Sequence, residues 1–213
     1  MGARAAIYPR AVTVELVLTE RRSELTEPRA ENYERLRTRL AAASGEDIEV
    51  SHYEETDPRR LADASSIVLS GSSAPWSARD PAELDRLGAA VLAAGRPVLG
   101  ICAGMQLLAR FRGGEIGPYG SSEHGFLPIQ IHDDADLLRG LPAEVVVFQD
   151  HDHEITELPD GFRVLATSPE CAIQAIADPE RRMWGTQFHP EEASPEHPAG
   201  ERVLHTFFAL ATR

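Results

Sequence analysis

The sequence has no lysine, and all 21 of its basic residues are arginine. Walker-type phosphate loops, enzymes that form Schiff bases with carbonyl substrates and Ser–Lys hydrolases all depend on a lysine ammonium group. These three kinds of site are therefore excluded. Cysteine is also scarce, since only Cys102 and Cys171 are present, too few for a disulfide framework. Cys171 opens the apolar run Cys-Ala-Ile-Gln-Ala-Ile and is predicted to be a core residue.

Positive charge and long apolar runs are lacking as well. The 21 arginines are outnumbered by 34 acidic residues, which gives a net charge of −13, and no stretch concentrates the basic residues. Nucleic acids and anionic membranes are therefore not expected as partners. No run approaches 18 apolar residues, and the N-terminus lacks the apolar core of a signal peptide. We expect a soluble protein located in the cytoplasm.

The pattern of elements predicts one α/β domain over residues 1–213, because no linker-like tract divides the chain. Strands and helices alternate in the first half, which favours an open, mostly parallel sheet with helices on both faces. The second half, after residue 114, is β-rich. The predicted strands are 12–18, 48–53, 66–69, 97–101, 126–132, 145–149, 162–166, 172–177 and 183–188. The predicted helices are 32–43, 81–94 and 200–211.

Residues 97–107 contain the most informative pattern. A short apolar run ends at Gly100, Cys102 and Gly104 follow, and helix-forming residues come next. This is the strand–sharp turn–helix pattern of a nucleophile elbow, with cysteine in place of serine in G-x-S-x-G. So tight a turn leaves no room for Cβ atoms two residues to either side of the nucleophile. Because the start of the helix favours a thiolate, we predict that Cys102 is a nucleophile rather than a structural cysteine.

A second pattern, at residues 184–192, supplies the base that a thiol nucleophile needs. His189 and Glu191 lie two residues apart after a strand-like stretch. Residues i and i+2 of an extended chain point the same way, so Glu191 can hold one nitrogen of the His189 ring. The other nitrogen can then face a cysteine from elsewhere in the fold. The alternative is an ordinary surface-loop histidine, and the presence of the elbow favours the base.

Together, residues 100–106 and 187–191 resemble the class I (triad) glutamine amidotransferases, in which the two motifs occur in this order. The resemblance extends over nearly the whole chain and implies a flavodoxin-like α/β fold. It implies that Cys102 attacks the side-chain amide of glutamine, that His189 moves the proton and that Glu191 orients His189. No cofactor is expected.

The resemblance also assigns the residues around the nucleophile. Gln106 would help to hold glutamine, and the backbone N–H of Ala103 would supply half of the oxyanion hole. The other half is expected where residues 65–76 run from an apolar strand into a turn. The family usually has Gly-Gly-Pro there, whereas this chain has Ser-Gly-Ser. The second donor is therefore Gly71 or Ser72, with an ordinary strand-to-helix turn as the alternative.

Residues 150–154, Asp-His-Asp-His-Glu, are dense in metal-ligand types, and His151 and His153 would share a face of an extended chain. No helical His-x-x-x-His spacing accompanies them, and the resemblance places this stretch at the glutamine pocket. A metal is therefore not predicted. The resemblance implies instead that the backbone around Asp150 and His151 holds the amino acid end of glutamine.

Within the family, residues 122–125, His151 and residues 158–162 most resemble the glutaminase domain of GMP synthetase. The run 104–108 is similar to the glutaminase subunit of imidazole glycerol phosphate synthase. Because no synthetase domain follows before the last residue, we expect a subunit that supplies ammonia to a separate synthetase. The alternatives are a stand-alone hydrolase of γ-glutamyl amides and a non-catalytic scaffold or regulatory subunit. A loop over 117–125, rich in glycine and serine, is expected on the docking face and mobile without the partner.

Overall fold

The computed structural model describes residues 13–213, in which a nine-stranded sheet forms the centre of the fold. Its strands are β1 Thr13–Leu18, β2 Asp47–His52, β3 Ser66–Leu69, β4 Val98–Ile101, β5 Glu115–Ile131, β6 Glu144–Glu157, β7 Arg163–Thr167, β8 Ala175–Asp178 and β9 Met183–Thr186. The α-helices of the same residues are α1 Glu27–Ser44, α2 Pro58–Asp63, α3 Pro81–Ala94, α4 Ala103–Phe111 and α5 Ala199–Ala211.

The strand order is β2-β1-β3-β4-β9-β8-β7-β5-β6. The first five strands in this order pair in parallel, and the remaining pairs are antiparallel. The predicted α/β fold, with a parallel first half and a β-rich second half, is therefore confirmed. Because parallel strands end at the same edge, the residues that follow β3, β4 and β9 meet there, as binding sites in open sheets do.

Two hydrophobic clusters cover the two faces of the sheet. Successive residues of a strand point to opposite faces, and in β3 Ile67 and Leu69 join one cluster while Val68 joins the other. Helices α1 and α5 supply Leu36 and Phe207 to the Val68 cluster, whereas α3 and α4 contribute to the other. The helices therefore lie on both faces, as predicted.

Several boundaries differ from those predicted. Helix α1 begins at Glu27 rather than at residue 32, with a proline in its first turn, and ends before Gly45 in the left-handed conformation, φ 71°. The short helix α2 was not predicted, although Asp57 caps it by accepting from the N–H of Arg59 at 2.9 Å. Helix α3 spans 81–94 as predicted. The predicted strand residues 172–174 and 187–188 fall outside β8 and β9.

The prediction of a loop over residues 117–125 is wrong, because this segment lies inside β5. Its glycines, serines and Pro118 are turn-forming residues, which is why composition favoured a loop. Pairing with β6 overrides that preference, so that Gly117 lies opposite Glu154. The register shifts between Pro118 and Glu123, and this irregularity accommodates the proline in the ladder.

Two of the sequence predictions concern the N-terminal residues, and one concerns membrane-spanning helices. Residue 12, the predicted first residue of β1, lies outside the described residues, as does the N-terminal stretch assessed for a signal peptide. None of the helices in residues 13–213 combines the length and the apolar character needed to cross a bilayer. The single-domain organisation stays a prediction.

Candidate active site

Cys102 lies between β4 and α4 in a strained backbone conformation, with φ 51° and ψ −110°. A positive φ is costly for a residue with a Cβ atom, and such strain persists only where the surrounding structure fixes it. Here the N–H of Cys102 donates to the carbonyl of Thr186 at 2.7 Å, and its carbonyl accepts from the N–H of Gln106 at 3.1 Å. The sulfur is thereby held above the edge of the sheet at the start of a helix.

The two glycines beside Cys102 are required by close packing. A Cβ atom on Gly100 would lie 2.5 Å from backbone atoms of Gly104, and one on Gly104 would lie 2.2 Å from the carbonyl oxygen of Leu69. Both distances are too short for any side chain. The sharp turn predicted from the spacing of these residues therefore has the expected steric cause.

His189 and Glu191 are delivered to Cys102 by the segment after β9. The backbone N–H of His189 donates to the carbonyl of Phe148 at 2.8 Å, which ties this segment to β6. Glu191 lies in the 3-10 turn that follows and is buried, and its Oε1 is 2.8 Å from Nδ1 of His189. The ring of His189 also lies next to Cys102, since a side chain at position 71 would contact both residues. The structure thus brings the three predicted residues together in the order Cys102, His189, Glu191.

The environment of His189 favours its protonated form. Burial by itself lowers the pKa of His189, but the negative charges of Glu191 and Cys102, and the hydrogen bond to Glu191, raise that pKa well above its usual value. An imidazolium at this position can stabilise a Cys102 thiolate and later deliver a proton. Such a pairing is the usual means of activating a cysteine nucleophile.

Gly71 packs directly against this pair of residues. A Cβ atom at Gly71 would lie 2.9 Å from Cε1 of His189 and 3.6 Å from Cβ of Cys102. The hydroxyl of the next residue, Ser72, donates to Glu20 at 3.1 Å. Ala103 is the first residue of α4, where backbone N–H groups have no acceptor within the helix.

Gln106 lines the same cavity as Cys102, but its amide is already engaged. Its Nε2 donates to the carbonyl of His153 at 2.8 Å and to Oε1 of Gln187 at 2.9 Å. Gln187 in turn places its own Nε2 at 3.6 Å from the sulfur of Cys102. Gln187 belongs to the second sequence motif, yet no role was assigned to it from the sequence. The two amides link β6 to the nucleophile.

Asp150 and His151 occupy adjacent positions of β6 with different environments. The carbonyl of Asp150 is 3.8 Å from the Cys102 sulfur, and its carboxylate is exposed. The His151 side chain is buried, and its Nε2 lies 2.9 Å from Oε2 of Glu123. Sequence analysis did not single out Glu123, because only the pairing of β5 with β6 brings it opposite His151.

Among the described residues, one group of side chains has the spacing of a metal site. It consists of Glu123, His151 and Cys171, whose potential ligand atoms lie within 4.8 Å of one another. Glu123 already accepts hydrogen bonds from Ser168 at 2.9 Å and Gln174 at 2.8 Å. Burial raises the pKa of the Cys171 thiol to about 12, which disfavours the thiolate that a metal would need. The hydrogen bonds account for this group without an ion.

A cavity of about 670 Å³ opens over Cys102. One wall is formed by the β6 residues just described, including Asp150 and Asp152. A second part of the lining comes from α1 and the segment after Gly71, which contributes Trp76 and Arg79. No sequence pattern singled out these last two residues, because they reach the cavity only through the path of the chain after β3.

Comparison with known proteins gives a consistent set of matches. A family model described as glutamine amidotransferase class-I matches residues 30–211. The chain is 36% identical over 160 residues to the glutamine-hydrolysing GMP synthase of Streptococcus mutans, covering 74% of this chain and 30% of that protein. It is 42% identical over 114 residues to a glutamine-hydrolysing GMP synthase subunit of Pyrococcus abyssi, covering 54% of this chain and 60% of that protein.

The solved structures agree with the matches in sequence. A structure described as a GMP synthase subunit protein from Thermoplasma acidophilum matches with a TM-score of 0.79 and 25% identity, over 96% of both chains. The aligned parts span 30% and 60% of the two curated relatives, less than two thirds of either.

Proposed function

This chain belongs to the class-I glutamine amidotransferase family, and from that membership we propose that it hydrolyses the side-chain amide of glutamine to glutamate and ammonia. The observation that carries the proposal is the strained elbow of Cys102, with His189 and Glu191 beside it at the floor of an open cavity. A structural cysteine needs neither the strain nor the cavity. The non-catalytic scaffold is disfavoured for the same reason.

In the proposed reaction, the thiolate of Cys102 attacks the amide carbon of glutamine. The resulting tetrahedral oxyanion collapses, His189 donates a proton to the leaving nitrogen, and ammonia departs from a γ-glutamyl thioester. His189 then takes a proton from water, which attacks the thioester and releases glutamate and the thiolate. Glu191 keeps the ring oriented through Nδ1 and stabilises its positive charge in both half-reactions.

The oxyanion would be bound by backbone N–H groups at two places. Ala103 supplies one from the first turn of α4, where the helix dipole adds to the stabilisation. For the other we propose Gly71 rather than Ser72, because Gly71 touches both Cys102 and His189. A side chain at residue 71 would collide with the His189 ring, which explains a glycine at this position.

Gln106, Asp150 and His151 are proposed to shape the substrate pocket. Gln106 acts by positioning, since its Nε2 fixes the β6 backbone and Gln187 beside the sulfur. The backbone around Asp150 and His151 holds the amino acid end of glutamine, while the buried His151 side chain keeps that backbone in place through Glu123. We propose no metal and no cofactor for the reaction.

We further propose that the ammonia is passed to a separate synthetase subunit. Support comes from relatives whose names describe one subunit of GMP synthase, which implies that a second subunit exists. The partner would dock on the face that carries Cys102, His189 and the irregular part of β5. A location in the cytoplasm stays a prediction from the sequence. The alternative is a stand-alone γ-glutamyl hydrolase, which would use the same attack with no partner.

Two measurements on the isolated protein test the proposal. The glutamine analogue 6-diazo-5-oxonorleucine should form an adduct on Cys102 and not on Cys171, as located by mass spectrometry, because only Cys102 has a base beside it. Hydrolysis of glutamine is compared with that of γ-glutamyl dipeptides. An adduct on Cys171, or turnover without an adduct, contradicts the mechanism. Fast cleavage of the dipeptides without a partner favours the stand-alone hydrolase.

A further inference from the structure

Arg79 is a buried arginine whose guanidinium group has no carboxylate partner among the described residues. It is 5% exposed, and its Nε and Nη1 atoms are buried without a hydrogen-bond acceptor. Its guanidinium carbon lies over the ring of Trp76, 4.2 Å from the ring centroid. Buried charges are almost always paired, so such an arrangement points to a partner that is not among the described residues.

The nearby acidic group is occupied by other donors. Glu20 accepts from the hydroxyl of Ser72 at 3.1 Å and from the N–H of Ser73 at 2.9 Å. Arg29 also lies 3.7 Å from its carboxylate. Burial lowers the pKa of Arg79, which reflects the cost of holding this charge away from water, and Glu20 offsets only part of that lowering. An anion that entered the cavity would remove that cost.

Arg79 and Cys102 line the same cavity. In the same cavity, β6 presents the exposed carboxylates of Asp150 and Asp152, each beside the ring of a histidine. A zwitterionic amino acid fits this arrangement, with its ammonium group towards the carboxylates of β6 and its carboxylate towards Arg79. A guanidinium is well suited to a carboxylate, since it can donate two parallel hydrogen bonds.

We propose that Arg79 is a specificity-determining residue that binds the α-carboxylate of the substrate. The inference rests on the proposed function, because it takes glutamine as the ligand. The ring of Trp76 stacks on the guanidinium and shields it from water. Arg79 would then discriminate glutamine from amides that carry no anionic group at the position of the α-carboxylate.

Binding of glutamine and of its α-amide, glutaminamide, tests the assignment. Both are titrated calorimetrically into Cys102→Ala protein with and without Arg79→Gln, so that the result does not depend on turnover. Arg79→Gln should weaken glutamine binding by about 30-fold or more, since it removes one partner of a buried charge pair. Glutaminamide binding should change by less than about threefold, because no such pair forms with it.

Arg35 offers a matched control in the same cavity. Its guanidinium is already paired with Glu192 at 2.8 Å, so Arg35→Gln should leave the affinity for both ligands unchanged. If Arg79→Gln does not fold, Arg79→Lys keeps the charge without the planar donor pair and should weaken glutamine binding alone, by a smaller factor. Equal weakening of both ligands by either variant overturns the assignment. Failure of the wild type to hydrolyse glutamine, with selective binding intact, contradicts the proposed function alone.

Discussion

The molecule contains two groups that each consist of one cysteine, one histidine and one glutamate. They differ in their position in the fold and in the contacts between their members. One consists of Cys102, His189 and Glu191, at the edge where the parallel strands end. The other consists of Glu123, His151 and Cys171, in the antiparallel half of the sheet. In the first group the ring of the histidine lies beside the cysteine, and its Nδ1 is 2.8 Å from the carboxylate. We call these the elbow group and the buried group.

The buried group is arranged for hydrogen bonding within the fold. The Nε2 of His151 lies 2.9 Å from Glu123 and its Nδ1 lies 3.2 Å from the carbonyl of His153, so both ring nitrogens are next to oxygen atoms. The Cys171 thiol donates to the carbonyl of Ile173 at 3.4 Å. Burial raises the pKa of this thiol, and the fold supplies it with no strained turn. The comparison indicates that backbone position and the direction of the ring decide reactivity, rather than residue types alone.

The largest expected effect separates the two cysteines. Cys102→Ala should lower the rate of glutamine hydrolysis by roughly four orders of magnitude or more, because no nucleophile remains. Cys171→Ala should leave kcat within about threefold of the wild type and cost about 1 kcal/mol of stability, through lost packing. Both rates come from glutamate release, and both stabilities from urea unfolding. Near-native turnover by Cys102→Ala would remove the distinction between the two groups.

The two glutamates should differ in the kind of loss they cause. Glu191→Gln should lower kcat by about 10²- to 10⁴-fold and retain some activity, since the orienting group serves the nucleophile indirectly. Glu123→Gln should lower the free energy of unfolding by about 1–3 kcal/mol, because the amide has one oxygen and its NH2 group must face either Ser168 or the donor of Gln174. Its kcat should fall less than about tenfold. A larger loss of kcat in Glu123→Gln than in Glu191→Gln would reverse the assignment of the two groups.

The elbow group could be predicted from the sequence because its parts are local. Gly100, Cys102 and Gly104 specify a strand, a turn and a helix through short-range sterics, and His189 and Glu191 are two residues apart. Their meeting follows from the rule that parallel strands end at one edge. The parallel half of the sheet was predictable for the same reason, from alternating strands and helices.

The remaining features depend on contacts between distant segments. Glu123 meets His151 only through the register of β5 against β6, in a segment whose composition favoured a loop. Arg79 follows a turn that no sequence pattern distinguishes. Its Nε and Nη1 atoms are seen to have no hydrogen-bond acceptor only when the three-dimensional positions of the surrounding residues are known. The intrinsic preference of a residue for a strand or a loop predicts little where pairing with a distant strand decides the conformation.

The smallest expected effect concerns the pH dependence of stability at the elbow group. The pKa of His189 is raised in the folded protein, so protonated His189 stabilises the fold. That contribution is fully present below the pKa of an unfolded histidine, about 6.5, and is lost as the pH rises through the folded-state value. The melting temperature of the wild type should therefore exceed that of His189→Asn most clearly near pH 6, and the difference should shrink as the pH rises. The same comparison made in Cys102→Ser protein, where the thiolate is absent, should show a smaller difference and a loss at lower pH. A difference that stays constant or grows with pH would mean that His189 is neutral in the folded protein, and the pairing of thiolate with imidazolium would then have to be abandoned.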